Sequence, residues 1–204
     1  FCEEELENGE SRVMLKIPAI LAPLKAAILP LTKKDGWWSY AVGPDKAIDT
    51  NKYFVLCANV IGGCMGSYGP NDIDSTSKKI LGTNFPVITI NDMVNAQYNL
   101  LDFFKIDQLF CVAGGSMGGM QVLQFVNNFP NKTKIAIPIA CTASHSAQNI
   151  AFNELGRQSI MADANWVNGN YSNEKLNPDK GLSVARMAAH ITYLSKNGLQ
   201  EKFG

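Results

Sequence analysis

Charge is scarce in this chain, and neither sign dominates. Only 18% of residues are charged, and 18 Lys and Arg balance 18 Asp and Glu. Such a chain has no electrostatic footprint for nucleic acid and no polybasic run for an anionic membrane surface. Histidine is scarcer still. His145 and His190 are the only two, and neither has a partner at ligand spacing, so a metal site is not expected. Cysteine is too sparse for a disulfide scaffold. The five, Cys2, Cys57, Cys64, Cys111 and Cys141, are odd in number and include no C-x-x-C. Three lie in or beside apolar strand-like runs, which predicts reduced, buried thiols in a cytoplasmic protein. Long apolar runs are missing too. The longest apolar stretch, residues 17–31, is broken by Pro18, Pro23, Lys25 and Pro30, which excludes a spanning helix. The acidic start, Phe1-Cys2-Glu3-Glu4-Glu5, has neither the basic region nor the apolar core of a signal peptide. It also lacks an initiating Met, so the expectation is an incomplete chain.

What is present reads as ordinary globular protein. The 204 residues are 46% hydrophobic, enough for a sizeable core. Residues 53–60 form a near-continuous apolar run, as in a strand buried on both faces. They lead into a loop rich in turn formers, residues 61–70. Residues 86–90 read as a short strand. Asp92 then caps a helix through about Phe104, with apolar positions at Met93, Ala96, Leu100, Leu101 and Phe104. Strands follow at 109–113 and 135–140, with a helical stretch between them. This alternation argues for an α/β fold with a mostly parallel sheet flanked by helices. Beyond residue 140 no strand is predicted. Residues 146–161 and 182–194 read as helices joined by a polar stretch that includes Asn165, Asn168, Asn170 and Asn177.

The most informative string is Gly114-Gly115-Ser116-Met117-Gly118-Gly119. It joins the apolar run Leu109-Phe110-Cys111-Val112-Ala113 to the apolar-periodic stretch Met120-Gln121-Val122-Leu123-Gln124-Phe125-Val126. A strand, a Gly-x-Ser-x-Gly turn and a helix make the context of a nucleophile elbow. Small neighbours let strand and helix backbones approach, so that the serine hydroxyl projects at the helix N-terminus, where negative charge is favoured. Ser116 is the candidate nucleophile. The N–H of Met117 is the candidate oxyanion donor, as the residue after the nucleophile.

Several longer strings resemble the homoserine O-acyltransferase family, whose members have the α/β-hydrolase fold. They include Gly43-Pro44-Asp45-Lys46-Ala47-Ile48-Asp49-Thr50, Asn59-Val60-Ile61-Gly62-Gly63-Cys64-Met65-Gly66-Ser67 and Gly114-Gly115-Ser116-Met117-Gly118-Gly119-Met120-Gln121. Further matches are His145-Ser146-Ala147-Gln148-Asn149-Ile150-Ala151-Phe152-Asn153-Glu154 and Ala185-Arg186-Met187-Ala188-Ala189-His190-Ile191-Thr192-Tyr193-Leu194. The resemblance covers most of the chain. It implies an acyltransferase of methionine biosynthesis that binds no cofactor. Acetyl-CoA would be the cosubstrate and L-homoserine the acceptor, with an acyl-Ser116 intermediate. It also implies an Arg that binds the amino-acid carboxylate. Arg186 sits in the matching string, with Arg157 in reserve. The acyl donor, acetyl or succinyl, and homodimerisation are left open.

The resemblance further divides the chain into a partial hydrolase core, residues 1–144, and a helical cap segment, residues 145–204. Two departures stand out. The family's triad Asp and His fall on late loops beyond residue 204. A His-Ala-Leu-Thr-Gly-like string, whose loop carries the second oxyanion donor, is replaced by an atypical stretch over residues 11–32. The sheet is therefore expected to lack its late strands and a central one, and the chain by itself to be inactive. His145 and His190 are read as structural or supporting residues rather than the triad base. The alternatives are an esterase with the same nucleophile, or a non-catalytic fragment. Neither nucleic acid nor membrane is expected as a partner.

Overall fold

The computed structural model describes residues 2–5, 11–14, 24–28, 37–63, 66–169 and 177–204. Residues 6–10, the prolines at 18, 23 and 30, Cys64 and Asn170 lie outside the described residues. The chain forms two compact units. One comprises Phe1–Ser67 and Ile88–Thr142, the other Tyr68–Val87 and Ala143–Gly204.

The first unit opens with an antiparallel pair, β1 (Cys2–Glu5) and β2 (Ser11–Met14). Then come β3 (Leu24–Ile28), the short parallel pair β4 (Val42–Gly43) and β5 (Ile48–Asp49), and β6 (Tyr53–Leu56). After α1 (Ile90–Phe103) come β7 (Leu109–Gly115), α2 (Met117–Asn128) and β8 (Thr133–Ile139). β3 pairs in parallel with β6 and also runs alongside β7, which pairs in parallel with β8 from Leu109↔Thr133 to Gly115↔Ile139. The hydrogen-bonded pairs are β3–β6 and β7–β8, and β3 lies between β6 and β7 by proximity. The central strand expected to be missing is present as Leu24–Ile28. Its apolar character was masked at the sequence level by the surrounding prolines.

α1 and α2 bury one apolar cluster against β6 and β7: Phe54, Val94, Leu101, Ile106, Leu109, Val112, Val122 and Phe125. On β7, Ala113 lies in a second cluster with Cys111, Trp38, Val42 and Ile48, on the strand face opposite Val112. The buried residues of α1 are Val94, Gln97 and Leu101; of the predicted apolar positions Met93, Ala96, Leu100, Leu101 and Phe104, Leu101 is buried and Phe104 packs against the core, while Met93, Ala96 and Leu100 are only half-buried. Gln97 interrupts the apolar pattern and shifts its apparent phase. The start of α1 also differs from expectation. Residues 86–89 form no strand, and Thr89 rather than Asp92 is the N-cap. Thr89 accepts from the Asp92 N–H, and the Asp92 carboxylate accepts from the Thr89 N–H at 2.8 Å, a capping box. β6 stops at Leu56, before the turn in which Gly63 donates to the Val60 carbonyl.

In the second unit α3 (Ala147–Met161), capped by Ser146, packs on α4 (Asp179–Tyr193). α5 (Lys196–Phe203), capped by Ser195, was not anticipated, because eight mostly polar residues give little periodic signal. α4 starts three residues earlier than expected, at Asp179. The reason is tertiary: Asp163 accepts the N–H groups of Asn165 and Gly181, joining the end of α3 to the first turn of α4. These bonds hold the Asp163 carboxyl below its ordinary range. Gly181 has no room for a side chain, since a Cβ there would lie 2.3 Å from the Ser159 carbonyl oxygen. No helix among the described residues is long and apolar enough to cross a membrane.

Phe125 is fully buried where α2 meets the sheet. Phe125→Ala is expected to destabilise the protein by about 3–5 kcal/mol through lost burial and a residual cavity, read as a lower urea midpoint.

Candidate active site

β7 ends at Gly115 and α2 begins at Met117, so a single residue, Ser116, makes the turn. Its backbone sits at φ 55°, ψ −118°, a conformation that costs a residue with a Cβ on the order of 1–3 kcal/mol. The surroundings enforce it. The Ser116 N–H donates to the Ile139 carbonyl at 2.9 Å, which ties the turn to β8. Gly114 lies against the backbone of Gly118, and a Cβ on Gly114 would fall 2.4 Å from the Gly118 carbonyl carbon and oxygen. Gly119 lies against Cys141, whose Sγ would be 2.7 Å from a Cβ at 119. The glycines of the motif are therefore spent on contact distance.

The consequence for Ser116 is chemical. Ser116 occupies the N-cap position of α2, yet its side chain makes no capping hydrogen bond. An ordinary N-cap serine spends its oxygen on the helix. Here the strained turn points that oxygen elsewhere, and the residue is exposed. The first N–H groups of α2, Met117 foremost, are left at the positive end of a 12-residue helix. The arrangement suits a nucleophile whose attack creates an oxyanion. Cys111, on the strand leading to the turn, is a poor alternative, since burial pushes its thiol up and keeps it protonated.

Two buried amides stand behind the turn. Gln97 of α1 donates through Nε2 to Gln121 Oε1 at 2.5 Å, and Gln121 donates through Nε2 to the Met117 carbonyl at 3.4 Å. Neither residue was singled out from the sequence. The available signal was a pair of glutamines at positions where helical spacing calls for apolar side chains.

The other predicted residues belong to the second unit. Arg157 and Arg186 lie on α3 and α4, His145 precedes α3, and His190 is on α4. Arg157 is engaged one turn back along its own helix, where Nε and Nη2 both reach Glu154 Oε2, at 2.8 and 2.5 Å. Arg186 is exposed and forms no ion pair among the described residues. It lines an open groove of about 330 Å³ with Ala189, His190 and Tyr193. The His190 ring packs edge-on against Phe203 of α5, with centroids 5.9 Å apart. His145 is exposed. The unit that carries Ser116 contains no histidine. Of residues 11–32, where the loop with the second oxyanion donor was expected to be replaced, only 11–14 and 24–28 are among the described residues. Among the described residues no group of three His, Cys, Asp or Glu is arranged to hold a metal.

Residues 30–203 match the family described as the alpha/beta hydrolase fold. Homoserine O-acetyltransferase of Pelagibacter ubique (strain HTCC1062) is 80% identical over 198 residues, covering 97% of this chain and 53% of that protein. Among solved structures, homoserine O-acetyltransferase from Bacillus anthracis superposes with a TM-score of 0.78 at 25% identity, covering 96% of this chain and 59% of that one. An acetylester hydrolase from Corynebacterium glutamicum gives 0.77 at 28% identity, covering 98% and 59%. The chain spans about half the length of the curated relatives it matches.

The glycine contacts give a direct test of the turn. Gly114→Ala forces backbone apart and is expected to lower stability by about 2–3 kcal/mol, judged by urea denaturation. Gly156→Ala on α3, whose new Cβ would meet only the Ala185 Cβ at 3.8 Å, is the control and should be tolerated.

Proposed function

Because the chain belongs to the α/β-hydrolase fold family, we propose that it carries the nucleophile and acceptor-binding parts of a homoserine O-acetyltransferase of methionine biosynthesis. The observation that carries this reading is the strained Ser116 turn at the N-terminus of α2, in a chain 80% identical to a protein of that name. The Ser116 oxygen attacks the thioester carbonyl of acetyl-CoA, and its proton passes to a base. The Met117 N–H donates to the oxyanion. The C–S bond then breaks, CoA leaves with a proton, and acetyl-Ser116 remains. The γ-hydroxyl of L-homoserine loses its proton to the same base, attacks the ester, and leaves as the O-acetyl product while Ser116 is reprotonated. Covalent catalysis divides one difficult transfer into two easier ones.

Neither histidine shares the unit of Ser116, so we assign the base and its carboxylate partner to the part of the relatives' length that this chain does not span. The second unit, with α3 and α4, takes the part of the cap. Arg186 receives the homoserine carboxylate there, because Arg157 is already engaged with Glu154. A guanidinium fork matches both carboxylate oxygens. The names of the relatives favour acetyl over succinyl as the transferred group. Among the described residues, Cys111 and Cys141 are free thiols, in keeping with a reducing, cytoplasmic compartment.

A second reading is hydrolysis of acetyl esters, favoured by the likeness to the acetylester hydrolase. The two differ only in whether homoserine or water takes the acetyl group. In the full-length protein, release of CoA from acetyl-CoA that depends on homoserine and yields its O-acetyl ester supports transfer. Release that ignores homoserine and yields acetate supports hydrolysis.

Incubation of the full-length protein with acetyl-CoA, quenched before the acceptor is added, is expected to leave one acetyl group on Ser116 by mass spectrometry. Ser116→Ala should remove it, and persistence of the label would place the nucleophile elsewhere. Arg186→Lys keeps the charge but loses the fork. It is expected to raise the homoserine KM about ten- to a hundredfold while acetylation of Ser116 survives. An unchanged KM would transfer the role to Arg157 or another residue.

A further inference from the structure

We propose that Gln121, clamped by Gln97, is a positioning residue that holds the first turn of α2, and with it the Met117 N–H, in register with Ser116. The inference rests on Ser116 being the nucleophile.

Both glutamines are almost fully buried, at 8% and 5% exposure. They occupy stripes that are otherwise apolar, Val94–Gln97–Leu101 on α1 and Gln121–Val122–Phe125 on α2. Packing alone would be met by Leu or Met. Burying two amides costs desolvation that their mutual hydrogen bond at best offsets. What the pair supplies is orientation. A glutamine amide has one accepting and one donating end. Gln97 donates to the accepting end of Gln121, and this leaves the donating end of Gln121 facing the Met117 carbonyl.

That carbonyl is well placed to matter. Met117 contributes its N–H to the site and its C=O to the next peptide, so a hold on the C=O restricts rotation about both Met117 torsions. The strand side of the turn is fixed by the Ser116–Ile139 bond and the Gly114–Gly118 contact. On the helix side Val122 and Phe125 anchor the body of α2 in the core, and the Gln121 amide adds a hold on its first residue, next to the strained Ser116 backbone. α1 itself is anchored to α2 a second time, by Asn128 donating to Asn91 Oδ1 at 2.7 Å and by Tyr98 stacked on Phe129. The clamp therefore acts from a fixed helix.

The test uses a fluorophosphonate probe, which reacts with an activated serine whatever the natural acyl donor, on the full-length protein. Gln121→Met is expected to lower the maximal labelling rate of Ser116 about tenfold, as a small misplacement of a catalytic donor does. The half-saturating probe concentration should not change, and Tm should fall because Gln97 is left unpaired. The double variant Gln97→Met/Gln121→Met removes both amides and should recover Tm without recovering the rate. Recovery of both, or a single variant that labels at the parental rate, overturns the positioning role and leaves the nucleophile intact. If the single variant does not fold, the double variant decides alone by the same rate. A parent that does not label at Ser116 overturns the nucleophile assignment, and the positioning role with it.

Discussion

The contact between the backbones of Gly114 and Gly118 is the constraint on which the rest of the site depends. A strand and a helix that meet this closely leave one residue, Ser116, to reverse the chain, and one residue can do so only with a strained backbone. The strain aims the hydroxyl away from the helix it would otherwise cap. It also places Ser116 beside the unspent N–H groups of α2. The positions of the proposed nucleophile and the proposed oxyanion donor are thus two results of one packing distance.

Strain persists only where the surroundings outweigh it. β8 contributes through the bond from the Ser116 N–H to the Ile139 carbonyl, and Cys141, just beyond β8, closes against Gly119. On the other side α2 is locked by Phe125 and Val122 into the cluster shared with α1 and β7. The parallel pairing of β7 with β8 connects these two sides, because the same strand that ends in the turn also sets the register that brings Ile139 to Ser116. The buried glutamines extend this logic into the core, where a polar pair is acceptable only when each partner is satisfied.

The second unit follows a different rule. α3 and α4 are joined at one end by Asp163, which accepts from both the turn after α3 and the first turn of α4. Along the helices, Arg157 and Arg186 differ in availability although both are exposed. Glu154 stands three residues before Arg157, the spacing at which helix side chains meet, and takes its guanidinium. Arg186 is left to line its groove.

Local pattern alone determined a good deal. The apolar run at 109–113, the glycine–serine string and the periodic stretch after it located the elbow, because each feature depends on neighbours within a few residues. The α/β alternation and the helix beginning after Ser146 were legible for the same reason. Other features were not. Leu24–Ile28 is a strand because β6 and β7 flank it, and no local pattern among scattered prolines announces that. Residues 86–89 have strand-forming composition, but the Thr89–Asp92 capping box commits them to a helix entry. Gln97 and Gln121 lie 24 residues apart and gain meaning only when α1 and α2 pack. The sequence by itself determined which serine is set on a turn and with what neighbours. Tertiary structure alone decided how that turn is held, since the holding groups come from β8, α1 and the segment beyond β8, and their distances are products of packing.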